Sequence, residues 1–75
     1  MSRPIHIDAV WFDQPTFRHI DQGLASIRIV TTEGSWSRTV ALEAEELDAA
    51  KRLAERHGAH FVLAHSLREW AGEVV

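Results

Sequence analysis

Apolar and polar residues alternate with a period of two in three stretches of this chain and follow a helical period in another. That stretch runs from Glu43 to His57. At about 100° per residue, Leu47, Ala50, Leu53, Ala54 and His57 fall in one stripe, while Glu45, Asp48, Arg52, Glu55 and Arg56 cover the opposite side. Glu43 occupies the N-cap slot with Glu46 three residues on, the spacing of a capping box. Acids gather at the positive helix start, Lys51, Arg52 and Arg56 gather toward its negative end, and Gly58 follows as a natural left-handed stop.

The alternating stretches predict strands. Ile5 to Phe12 reads as the first, with Ile5, Ile7, Ala9 and Trp11 expected inward and Trp11 and Phe12 on opposite faces. Asp13-Gln14-Pro15 is turn chemistry. From Thr16 to Gly23 there is no clean period, and Phe17 and Ile20 are candidate anchors under a loop, or parts of a short strand or helical turn. Leu24 to Thr32 predicts a second strand, with Ala25, Ile27 and Ile29 on one face. Glu33-Gly34 then supplies a tight hairpin turn. The return strand, Trp36 to Leu42, puts Trp36, Arg38, Val40 and Leu42 on one face and small hydroxyl residues on the other, solvent-facing one. His60 to His65 predicts a final strand, its Phe-Val-Leu-Ala centre apolar enough to be buried on both sides or to lie interior to the sheet. Ser66, with Glu69 in the capping-box position, opens a short helix that Leu67, Trp70 and Ala71 dock and Gly72 ends. Met1 to Pro4 reads as a loose arm. The expected fold is α+β: a small antiparallel sheet, in the order β-β-β-α-β-α, packed against one main helix in a single domain spanning 1–75.

Composition narrows what such a domain can do. With 75 residues, a single small core has a thin stability margin. Cys is absent, so neither a disulfide framework nor a Cys-based zinc site staples the fold, in keeping with a cytoplasmic location. The net charge of −3 leaves no basic surplus for gripping nucleic acid directly. No apolar run approaches the length of a membrane span, and Met-Ser-Arg-Pro opens no signal peptide. Seven of the eight basic residues are Arg, the better residue for bidentate pairing at an interface.

Candidate chemistry is sparse. Five His invite a metal hypothesis, but no two are four apart on the helix, and His60 and His65 point to opposite faces of one expected strand. The four Gly are scattered, so no phosphate-cradling loop exists, and no nucleophile-elbow spacing links the Ser residues to His and acids. No catalytic residue, metal ligand or cofactor is therefore assigned. What remains is surface. Glu45, Asp48 and Arg52 on the outer side of the helix, Glu33 in the hairpin turn, and the aromatics Trp36 and Phe12 are the candidate partner-binding residues.

In size, acidity and lack of an active-site motif, the chain resembles small phage-encoded inhibitors, including anti-CRISPR proteins; no particular residue carries the likeness. The resemblance implies a non-enzymatic protein-binding module. It would occupy a functional surface of a partner protein, usually one that binds nucleic acid, with acids standing where phosphates would sit. A small adaptor or subunit of a larger bacterial complex is the alternative, and a His-based metal- or ligand-binding domain the third. The sheet edges offer a further route, strand pairing into a homodimer.

Overall fold

A computed structural model describes residues 6–74. The expected loose arm Met1–Pro4, Ile5 and the last tail residue Val75 lie outside the described residues. The elements in chain order are β1 (Ile7–Asp13), α1 (Phe17–Asp21), β2 (Leu24–Thr31), β3 (Gly34–Ala41), α2 (Ala44–His57), β4 (His60–Leu63), a 3-10 turn (His65–Leu67) and α3 (Arg68–Val74). The α+β class and the one main helix against the sheet are as the pattern predicts. The strands form one sheet in the order β3-β2-β1-β4. It is mixed rather than antiparallel throughout, because β4 pairs parallel with β1. Connectivity dictates this. Two hairpin-like reversals make β3 run the same way as β1, and α2 carries the chain back so that β4 starts in that direction too.

Among the described residues, α2 and α3 pack on one face of the sheet and the core lies beneath them. The core gathers Val10 and Phe12 of β1, Ala25 of β2, Val40 of β3, Leu47, Ala50 and Ala54 of α2, and Leu67 and Ala71 near the C-terminus. Phe12 is fully buried and its ring stacks on Trp70 of α3, centroids 6.1 Å apart and planes at 10°. The even residues of β1 therefore face the core, opposite to the inward odd set the alternation suggests. A bulge explains why both sets look plausible. The register with β2 shifts between Ile7 and Ala9, so Ile7 also packs on the core while Ala9 and Trp11 face away.

The terminal chemistry of α2 is partly as expected. Gly58 ends it with φ 62°, and the Ala59 N–H donates to the Ala54 carbonyl at 2.8 Å, closing the last turn. Glu43 holds the N-cap position by backbone alone, without a side-chain cap bond, so no capping box forms. Its stripe buries Leu47, Ala50 and Ala54, whereas His57, the last residue of the helix, is exposed. Ser66 likewise caps nothing. It lies inside the 3-10 turn, whose N-cap is Ala64, and α3 continues through Gly72. β4 is an edge strand, not an interior one; Phe61 and Leu63 oppose Val10 and Phe12 on the helix side, and Val62 opposes Trp11 on the bare side. Among the described residues, no helix is long and apolar enough to cross a membrane.

Candidate partner-binding site

The position of α2 decides where a surface opens. The helix lies over β1 and β4. Ala50 and Ala54, turned to the sheet, allow close approach there, but one helix is too narrow to cover four strands: strands are about 4.8 Å apart and a helix is about 10 Å wide. The helix-side surface of β2 and β3 is left open, forming a groove of about 440 Å³ beside α2. Its floor is Ile27 and Ile29, its wall is Ala49, Ala50 and Leu53, and its outer margin is Trp36 and Arg38. Glu46 and Arg56 of α2 complete the rim.

Strand register explains each side chain at the margin. Trp36 lies opposite Ile29, Arg38 opposite Ile27 and Val40 opposite Ala25, all three on the helix side of β3. Of these only Val40 is buried. Trp36 retains 53% of its accessible surface, an unusual exposure for so large an apolar group. Arg38, the misfit on an apolar face, is exposed at the groove margin. The pattern around Trp36 and Arg38 signals a sheet face; that the helix stops short of it is the part the sequence does not carry.

The sequence-predicted site residues divide. Glu45, Asp48 and Arg52 are all exposed on one stripe of α2, roughly a quarter turn round the helix from the groove-lining stripe of Glu46, Ala49 and Leu53. Asp48 is not a free acid: its carboxylate accepts from the Arg52 guanidinium at 2.6 Å along the helix. Both partners are more than half exposed, so the pair contributes only a few tenths of a kcal/mol. Glu33 sits in the β2–β3 turn, at the opposite end of β3 from the start of α2. Some 25 Å of strand separates it from Glu45, so the acids do not merge into one acidic surface. Phe12 is corrected outright. It is a core residue with no exposed surface and cannot touch a partner.

Other candidate features stay apart. On the bare face, Trp11 and Arg28 are directly opposed cross-strand partners, with the guanidinium 4.9 Å from the ring centroid, a cation–π contact. Phe17 and Ile20 are not anchors. Thr16 caps α1, accepting from the His19 N–H at 3.3 Å, and this short helix leaves Phe17 86% and Ile20 51% exposed. His6 reaches Asp8 at 3.3 Å, and the Thr16 hydroxyl contacts the His19 ring. Among the described residues, no three His, Cys, Asp or Glu side chains come together as a metal ion requires. Comparison with protein-family models, curated proteins and solved structures found no match to this chain.

Proposed function

We propose that this chain is a non-enzymatic protein-binding module that seats part of a partner protein in the groove between α2 and β3. One observation carries the reading: a half-exposed Trp stands at the margin of an apolar groove whose rim bears two Arg and one Glu. Large aromatics beside Arg are what binding hot spots are made of, and a buried apolar centre with a charged rim is the usual anatomy of an interface. By covering a functional surface of its partner, the module acts as an inhibitor. A cytoplasmic site of action belongs to the same proposal and fits a chain without Cys.

A second form of the reading uses the outer stripe of α2. Glu45 is exposed there beside the Asp48–Arg52 pair, and a nucleic-acid-binding partner would meet these charges in place of phosphates. Capture of the partner from the native host with matched variants separates the two forms. The groove form expects wild type to retain a protein that Trp36→Ala and Leu53→Arg lose, while Glu45→Lys and Asp48→Lys keep it. The acidic form expects the reverse, with retention falling as salt rises. A partner retained by all four variants would sink both.

A further inference from the structure

We propose that the chain forms a two-fold symmetric dimer by antiparallel pairing of β3 with β3 of a second copy, Ser37 lying opposite Ser37 across the axis. The proposal stands on the sheet edge itself and does not depend on the identity of any other partner. Among the described strands β3 is an edge, it is eight residues long, and its register with β2 runs without a bulge from Gly34 to Ala41. Natural edge strands are blunted by charged side chains, Lys above all, by Pro, by bulges or by shortness. Gly-Ser-Trp-Ser-Arg-Thr-Val-Ala carries a single charge, Arg38, and has no Lys, no Pro and no bulge, and residues 34–39 are all exposed. The other edge, β4, has only four residues and runs directly into the 3-10 turn.

The free hydrogen-bonding groups can be named. The Leu42 N–H donates to the Gly23 carbonyl across the β2–β3 pair at 2.8 Å. Along an antiparallel pair, alternate residues bond to the partner strand. The even-numbered residues of β3 therefore bond to β2, and the N–H and C=O of Ser35, Ser37, Thr39 and Ala41 point outward from the sheet. These groups can continue the ladder into another strand.

Side chains select both the second copy and the register. Directly opposed residues in an antiparallel pair share a face, so two β3 strands can meet only in registers two residues apart. With Ser37 on the axis, Trp36 opposes Arg38 of the second copy, twice, on the helix side. Ser35 then opposes Thr39 of the second copy on the bare side, a hydroxyl pair. Moving one step places Arg38 against Arg38, like charges face to face; moving the other way sets Trp36 against itself and leaves Arg38 opposite Gly34. The favoured pairing is one this chain already makes, since Trp11 and Arg28 are opposed across β1 and β2 with the guanidinium over the ring. Trp36 and Arg38 are thus complementary to each other across a two-fold, whereas within one copy they oppose Ile29 and Ile27.

The dimer also completes the groove. A single copy leaves it open beyond Trp36. Pairing the edges makes one eight-stranded sheet, with the two α2 helices over its β1 strands about five strand spacings, or roughly 24 Å, apart. A trough about 14 Å wide lies between them once helix width is subtracted, room for one helix or extended segment of a partner.

Sedimentation equilibrium of the wild-type chain from micromolar to millimolar loading should give twice the monomer mass at the upper end. Amide hydrogen exchange should show Ser35, Ser37 and Thr39 becoming protected as concentration rises, although they point away from β2. Ser37→Pro removes one outward N–H at the axis without touching the β2 bonds, and Ser37→Lys opposes two charges there. Both should be monomeric, with circular dichroism confirming that they fold. Arg38→Ala should weaken dimerisation roughly tenfold, since two cross-strand pairs are lost together. A wild-type chain that stays monomeric at every loading overturns the proposal, as does a dimer that survives both Ser37 variants. So does a monomer whose β3 amides become protected only when another protein is added.

Discussion

Truncating Phe12 and Trp11 separately tests the assignment of the two sheet faces. These neighbours point to opposite faces, and only one of them is core. Phe12 is fully buried, opposite Ile27 of β2 and Leu63 of β4, and stacked on Trp70. Removing such a ring typically costs about 3–5 kcal/mol, the sum of lost transfer energy and the cavity left behind. A 75-residue domain has a total margin of roughly 4–11 kcal/mol, at about 0.05–0.15 kcal/mol per residue. Phe12→Ala therefore removes between about a quarter and all of it. Trp11 is only partly buried, on the bare face, and its specific contact is the Arg28 guanidinium. Trp11→Ala forfeits that cation–π contact, about 0.5–1 kcal/mol, and part of its apolar burial, roughly 1–2 kcal/mol in all. Urea unfolding followed by far-ultraviolet circular dichroism gives both values, with an unchanged m-value certifying that stability alone moved. Wild type and variants should be compared at one protein concentration, because an edge-to-edge dimer would add concentration-dependent stability. If Phe12→Ala proves too unstable to measure, Phe12→Leu is the milder form. A Trp11→Ala cost equal to or above that of Phe12→Ala would mean that the odd residues of β1 face the core, and the face assignment would fall.

Two further outcomes test the helix. Gly58→Ala should destabilise by about 1 kcal/mol in the same unfolding assay, because φ is 62° while a Cβ there would meet nothing within 4 Å; conformational strain is the whole effect. Ala54→Leu inserts a large side chain where α2 is buried against the sheet and should cost about 1–3 kcal/mol, whereas Ala49→Leu, at the open groove wall, should cost less than half of that.

The legible parts of this protein are those governed by local periodicity. The helix from Ala44 to His57 follows from its apolar stripe and its Gly58 stop, and β2 and β3 follow from alternation around a tight turn. The illegible parts are those where two faces compete. In β1 both the odd and the even residues are apolar enough to face a core, and a bulge near Asp8 lets Ile7 join Val10 and Phe12 on one side. No pattern of period two can register that extra residue. The Phe-Val-Leu-Ala run of β4 suggests burial on both sides. It serves instead at an edge, where Phe61 and Leu63 face the helices and Val62 lies beside Trp11.

The candidate site divides along the same line. Sequence alone identifies Glu45, Asp48 and Arg52 as the outer surface of a helix and Trp36 and Arg38 as neighbours on one strand face, because side-chain direction in a regular element depends only on spacing. It cannot separate Glu33 from the helix acids by the length of a strand, send Phe12 into the core or leave Trp36 half in solvent. Those outcomes depend on strand order and on which strands α2 covers. Four strands are wider than one helix, and the placement of α2 over β1 and β4 is a property of the assembled sheet. The open groove follows from that placement, and the exposed edge of β3 from the strand order.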